Sequence, residues 1–488
     1  MAETELKTKV VSGVVWSLSE KIGTMLLQMV VSIIVARRLM PEDFGVMAIM
    51  TFFTSLALAM VDSGFSQTLI RKKSSPTADE YRSVAVFNML IAVILYLLLT
   101  ALSPAIAEFY GHPVIARIAP VLLLLLPVNA LCVVQSVIFT REFRFATMSK
   151  IVFFSSLISG AIAVGMALAG CGVWSLVAQR LAAMAVKAAM FRWLGRRPAE
   201  ARFSPSILRA MAPYSLRLLA TDLITAVYNN LSQLIIGKVY SATSLGYFSQ
   251  AQKLKDLPVT STVQSVQSVT FPALAKIDGQ SGKFAESYRQ ILSITAFVVL
   301  PAMTGLIAIA PDMFALLLGE KWLPTVPYFE IICIGGMLYP LSVVAYNVLK
   351  VRSDGRIILR LEIFKKIVMT LILAYVFLVS RSMEAVAWGL TVMSGVELTI
   401  NIAASLRYTT LSAARIAATL LPTLLATGTM FAAVMAMRTE TAALTLGLRL
   451  MVCIATGVAA YIFAAAVMRS EALREVLNIV KRMISRNQ

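Results

Sequence analysis

Between residues 211 and 236 an otherwise apolar stretch carries Arg217, Asp222, Asn229 and Gln233, with Tyr228 and Asn230 among them. At about 3.6 residues per turn, Asp222, Asn229 and Gln233 fall on one face of a helix, at steps of seven and four. Arg217 lies five positions before Asp222, about 140° away around the axis, so those two side chains face other partners rather than each other. At mid-bilayer each ionisable group costs about 2.5–3.5 kcal/mol or more unless it meets water or a partner. A face polar over three turns is therefore read as the wall of a water-filled cavity. The following stretch, 244–270, holds Gln250, Gln252, Lys253, Lys255, Asp256, Gln264 and Gln267 and is too polar to face lipid on all sides. Arg217, Lys253, Lys255 and, near the start of the chain, Lys21 offer positive charge to an anionic group. Asp222, Asn229 and Gln233 offer hydrogen bonds to hydroxyls, and Asp62 and Asp222 could take up a coupling H⁺ or Na⁺.

These residues must be held by apolar helices. The 488 residues are 59% hydrophobic and only 14% charged, with a mean hydropathy of +0.81; a soluble domain has about 25% charged residues. A spanning helix needs about 20 mainly apolar residues. Fourteen stretches qualify, at roughly 14–36, 44–66, 83–107, 114–139, 149–169, 173–194, 211–236, 244–270, 290–310, 325–349, 359–379, 384–406, 415–436 and 443–467. The expected fold class is an all-α integral membrane protein.

Lys and Arg gather in alternate gaps. Lys7, Lys9, Arg71, Lys72, Lys73, Arg141, Arg144, Arg196, Arg197, Arg202, Lys276, Lys283, Lys350, Arg352, Arg356, Arg407 and the tail share one side. The opposite gaps hold little beyond Arg37, Arg38, Arg117, Lys238, Lys321, Arg381 and Arg438. The positive-inside rule then places both termini in the cytoplasm. The net charge of +19 thus reflects topology and contact with membrane lipids, not nucleic acid. The segment from Ala36, ARRLMPEDFGVMAIM, matches GKVYSATSLGYFSQA from Gly237 in kind, at an offset of 201 (237 − 36). Six spans separate them, so the repeat is parallel, and two six-helix lobes around a central cavity are expected. The lobes are residues 1–200 and 201–410; residues 411–488 add a helix pair and a cytoplasmic tail.

No phosphate-binding loop, zinc-protease helix or nucleophile elbow occurs, and the loops are short, so no enzyme is expected. Cys132, Cys171, Cys333 and Cys453 sit in or beside apolar runs without metal-ligand spacing, and His112 is the lone histidine. Neither a metal nor a cofactor is expected. Lys187, Arg360, Lys365 and Lys366, close to cytoplasmic ends, read as snorkelling or helix-tying groups. The gap PDMFALLLGEKWLPTVPYF (residues 311–329) reads as an interfacial segment.

Four segments carry a family resemblance: VVWSLSEKIGTMLLQMVVSIIVARRLMPEDFGVMAI, DSGFSQTLIRKK, SLGYFSQAQKL and LKVRSDGRIILRLEIFKK. In them the chain resembles the polysaccharide flippases, the Wzx-like exporters of exopolysaccharide and O-antigen repeat units, of the multidrug/oligosaccharidyl-lipid/polysaccharide exporter superfamily. The resemblance implies a cytoplasmic-membrane flippase for undecaprenyl-diphosphate-linked oligosaccharide, working by alternating access beside a polysaccharide polymerase and a chain-length regulator. It hands over no catalytic motif. The rival readings are a cation-coupled multidrug antiporter of the same superfamily and, in another class, a membrane glycosyltransferase or polymerase.

Overall fold

A chain this apolar must satisfy its backbone N–H and C=O groups internally, and helices do so within one segment. The computed structural model describes residues 20–486 except 22, 73, 196–200 and 381, and those residues form helices and turns with no strand. The start of the first expected span and Lys7, Lys9, Lys73, Arg196, Arg197 and Arg381 lie outside the described residues.

Packing divides the chain into two compact units, one ending at Ser249 and one beginning at Gln250. The first contains α1 (residues 23–38), α2 (Pro41–Asp62), α3 (Phe65–Arg71), α4 (Ala78–Tyr110), α5 (Val114–Leu122), α6 (Leu125–Arg141), α7 (Phe145–Leu168), α8 (Trp174–Leu194) and α9 (Pro205–Val239). Helix α10 (Ala242–Lys276) starts in the first unit and ends in the second. The second unit continues with α11 (Ser281–Ala308), α12 (Ala310–Leu317), a 3₁₀ turn (Glu320–Thr325), α13 (Val326–Arg352) and α14 (Gly355–Tyr375). It closes with α15 (Met383–Leu406), α16 (Ala413–Glu440), α17 (Leu446–Val467) and α18 (Glu471–Arg486).

Among the described residues, ten segments are long and apolar enough to cross a membrane. Helices α8, α9 and α10, with 21, 35 and 35 residues, have the length but carry more polar side chains. The chain is a multi-pass membrane protein, and a total of fourteen crossings stays the expectation from sequence.

Local chemistry sets the helix starts. Thr77 Oγ1 accepts from the Glu80 backbone N–H at 3.3 Å, and Glu80 Oε2 accepts from the Thr77 N–H at 2.9 Å. That reciprocal pair supplies two of the acceptors that the first turn of α4 lacks. Lys72 pairs with Glu80 at 2.5 Å. Asp354 caps α14 by accepting from the Arg356 N–H, and Ser412 caps α16 by accepting from the Arg415 N–H; among the described residues neither bond is reciprocated.

Loops are pinned by arginines. Arg141, at the end of α6, donates to the carbonyls of Leu69, Ile70, Lys72 and Ser74 at 2.7, 3.0, 2.8 and 3.1 Å. Arg352, at the end of α13, donates to Asp278 Oδ1 at 2.7 Å and to the Asp278 and Tyr408 carbonyls at 2.6 and 2.8 Å. Its guanidinium also covers the Phe284 ring, 3.7 Å from the centroid.

Residues 311–329 depart from the interfacial reading. Phe314 and Trp322 are fully buried, and Phe314 meets Phe329 edge-on at 5.2 Å. Buried Asp312 accepts from Arg438 Nε at 3.0 Å and from Arg449. The segment is thus folded into the second unit, with Phe314, Trp322 and Phe329 buried against protein.

Candidate functional site

In the first unit the site begins with a broken helix. Asp62 ends α2, Ser63 and Gly64 take left-handed φ values of 50° and 70°, and Phe65 starts α3. A Cβ on Gly64 would stand 2.5 Å from the Ser215 carbonyl oxygen, so the approach of α9 as well as the φ requires glycine. Helix α9 runs antiparallel along the broken pair. The Arg71 guanidinium lies 4.5 Å from the Tyr214 ring centroid, Thr68 and Ser215 share a hydroxyl bond of 2.8 Å, and Gly237 reaches Ile49 at the far end.

This packing brings two of the expected residues together. Asp62 and Asp222, both half-buried, interact electrostatically across the α2–α9 seam. Asp62 also accepts from the Ser66 hydroxyl. Ser66, in the first turn of α3, thus holds the Asp62 carboxylate beside the break.

Arg217 and Asn229 are exposed on α9. Among the described residues the guanidinium of Arg217 and the amide of Asn229 make no hydrogen bond or ion pair. Gln233 is half-buried and engaged by its surroundings. The hydroxyls between them are folded back on their own helix: Thr221 donates to the Arg217 carbonyl at 3.0 Å and Thr225 to that of Thr221 at 2.8 Å. Asn230 does likewise to Ala226 at 2.8 Å. Helix α10 repeats the habit with Thr260, Ser261 and Thr262, at 2.6, 2.9 and 2.8 Å.

The expected lysines differ in availability. Lys21 is exposed, beside Glu20. Lys253 is exposed and already engaged. Lys255 is bound to Asp256 at 2.8 Å, and its stem lies in the second unit, against Gly336 of α13. Its charge is therefore locally matched, and less of it reaches a ligand than the bare sequence suggests.

The second unit holds a polar cluster among α13, α14 and α15. Lys365 does not snorkel: it is only 4% exposed. Its ammonium donates to Glu362 and, at 3.5 Å, to Asn401 Oδ1, and sits 5.0 Å from the Tyr346 ring centroid. Asn401 Nδ2 donates to Ser342 Oγ at 2.8 Å, and Glu397 lies within electrostatic reach of Lys365 and Lys366. Side chains from three helices thus form one network around a single cation. Among the described residues, no group of three or more His, Cys, Asp or Glu side chains could hold a metal ion.

With this geometry in view, the comparisons are informative. A family model described as "Polysaccharide biosynthesis protein" matches residues 34–327. The succinoglycan biosynthesis transport protein ExoT of Rhizobium meliloti (strain 1021) is 24% identical over 390 residues, 80% of this chain and 78% of that one. The lipopolysaccharide biosynthesis protein WzxC of Escherichia coli (strain K12) is 24% identical over 377 residues, 74% of this chain and 73% of that one. Among solved structures, the lipid II flippase MurJ in an inward closed conformation superposes with a TM-score of 0.72 at 15% identity. That match covers 95% of this chain and all 100% of the other. At that identity the likeness concerns the fold.

Proposed function

The chain belongs to the polysaccharide biosynthesis protein family, and from that premise we propose that it is a flippase for lipid-linked oligosaccharide. Its cargo is an undecaprenyl-diphosphate-linked repeat unit for exopolysaccharide, capsule or O-antigen synthesis, moved across the cytoplasmic membrane by alternating access. Both termini are cytoplasmic in this reading, fourteen helices cross, and two six-helix lobes enclose the path. On the far side a polysaccharide polymerase and a chain-length regulator would receive the product.

One observation carries the reading. Arg217 is an exposed, unpaired guanidinium on a helix long enough to span the bilayer. Facing hydrocarbon, such a group is unfavourable by several kcal/mol, at least about 2.5–3.5 at the centre. Facing a wet path, it is a bidentate donor to a phosphate. Asn229 and Gln233, on the Asp222 face of the same helix, offer amide groups to sugar hydroxyls, and the lipid tail can stay in the bilayer throughout. The Asp62–Asp222 pair supplies a place for one H⁺ or Na⁺ whose uptake would couple transport to an ion gradient.

The test is a deletion strain. Loss of the protein should leave lipid-linked repeat units in the cytoplasmic leaflet and abolish surface polysaccharide, and re-expression should restore it. Unchanged polysaccharide together with ATP-independent efflux of a fluorescent organic cation would replace this reading with a drug antiporter. Loss of glycosyl transfer in membranes with pre-flipped acceptor would replace it with an enzyme.

A further inference from the structure

We propose that the first unit binds an acidic glycerophospholipid by its headgroup, in a groove between α4, α6 and α8 separate from the α2–α9 seam. A cavity of about 570 Å³ lies there, lined by Tyr81, Arg82, Met89, Leu131, Gln135 and Arg192 among others. It is lined by the first part of α4, the middle of α6 and the last turns of α8; Lys72, Arg141 and Arg144 lie beyond it, before α4 starts and after α6 passes it.

The charge in this groove is unbalanced. Arg82 and Arg192 are both exposed, and among the described residues neither guanidinium has a hydrogen-bond or ion-pair partner. Among the described residues no carboxylate lines the cavity. The two acidic groups nearest Tyr81 are already matched, Glu80 by Lys72 at 2.5 Å and Glu142 by Arg144 at 3.7 Å. Two free guanidinium groups lining one cavity, Arg82 from α4 and Arg192 from α8, suit a phosphodiester. By contrast, the other arginine-lined cavity, around Arg289, Arg415 and Arg469, includes Glu471, which Arg289 holds at 2.6 Å.

Two further features select a lipid over a free anion. Away from the arginines the wall is apolar, with Val86, Met89 and Val134, and Leu131 stands 59% exposed. Trp193, next to Arg192, is 80% exposed, as suits an indole at the membrane interface. The groove therefore continues from a cationic mouth into a surface that acyl chains cover. Gln135 also lines it, with a buried side-chain oxygen that has no donor. A headgroup that brings both a phosphate and a hydroxyl satisfies the arginines and this acceptor together, which a glycerol headgroup does.

The experiment uses the full chain purified in detergent, with native mass spectrometry and thermal unfolding read against added dioleoyl phosphatidylglycerol, dioleoyl phosphatidylcholine or inorganic phosphate. Wild type should retain one phosphatidylglycerol and unfold at a higher temperature with it, and should respond to neither of the others. R82Q/R192Q should weaken the phosphatidylglycerol response about tenfold or more, since two charge-assisted bonds are lost. R82K/R192K, which keeps the charge, should retain most of it, and Q135L should weaken the phosphatidylglycerol response less than R82Q/R192Q does. Equal response to phosphatidylcholine, saturation by inorganic phosphate alone, or an unchanged response in a folded R82Q/R192Q protein would overturn the proposal.

Discussion

Gly45 of α2 and Gly246 of α10 each press against the other helix at its first residue. A Cβ on Gly45 would lie 1.7 Å from the Ala242 carbonyl oxygen, and a Cβ on Gly246 would lie 1.8 Å from that of Pro41. The exchange is reciprocal, and both pairs are separated by the repeat offset: 242 − 41 = 201 and 246 − 45 = 201. Two segments that match only in kind along the sequence therefore use their equivalent glycines on one another. Backbone oxygen cannot move aside as a side chain can, so both positions are closed to any larger residue.

Alanine at either glycine should force the two helix starts apart. Gly45→Ala and Gly246→Ala are expected to destabilise by about 1–3 kcal/mol or more, the usual range for overpacking. Gly428 in α16, with open space around its Cβ position, is the control, and its alanine variant should be neutral or slightly stabilising. Thermal unfolding of purified protein decides this; a Gly45→Ala midpoint equal to that of Gly428→Ala would mean the helix starts are free to shift.

Arg217→Ala should cut polysaccharide export about tenfold or more, because a charge-assisted hydrogen bond contributes about 1.5–3 kcal/mol. Arg217→Lys should fall between the two, keeping charge but not the planar fork. Export per unit of membrane-inserted protein is the readout. Wild-type export from the alanine variant would leave Arg217 as a solvated surface group.

Arg141→Ala removes four carbonyl contacts and should loosen residues 69–74 while sparing the helices. The expected change is faster proteolysis in that loop and a loss of about 1–3 kcal/mol. Lysine, a point charge on a flexible stem, should restore only part of it. Digestion with and without the substitution, followed by peptide mapping, locates the effect.

The Lys365 network predicts non-additive behaviour. Lys365→Met alone leaves Glu362 and Asn401 without their shared cation and should destabilise, by less than a fully buried broken pair because the Glu362 side chain is 37% exposed. Adding Glu362→Gln should recover much of that loss. Additive losses in a double-mutant cycle would show that the two side chains do not act as a pair.

Topology is checked by thiol labelling in a cysteine-free background. A cysteine at exposed Lys283 should react only from the cytoplasmic side, and one at exposed Glu320 only from the opposite side. The reverse pattern would remove the orientation drawn from the Lys and Arg gaps.

What one-dimensional spacing reveals here is what the bilayer itself enforces. Apolar runs of spanning length and the cations of alternate gaps are visible because lipid punishes exceptions at any position. The break after Asp62 is less visible: the expected span 44–66 runs through it, although Asp-Ser-Gly is turn chemistry. Partnership across helices is not visible. Asp312 finds its arginines 126 and 137 residues away, and its short apolar neighbourhood gives no hint of either. Lys365 looks like a snorkelling side chain until α13 and α15 cover it. Lys255 looks like a free cation because its match, Asp256, is merely the next residue along the chain.

The hydroxyls of α9 and α10 parked on their own carbonyls bear on turnover. Thr221, Thr225, Thr260 and Thr262 need no outside partner at rest, yet each can swing by one side-chain rotamer to meet a passing sugar. The bond it forms replaces one it gives up, so the net attraction at each step is small. Under the proposed function, hydroxyls of this kind on either helix would let a sugar go as readily as they take it. Tight grip would be left to a charge that stands uncommitted, such as that of Arg217.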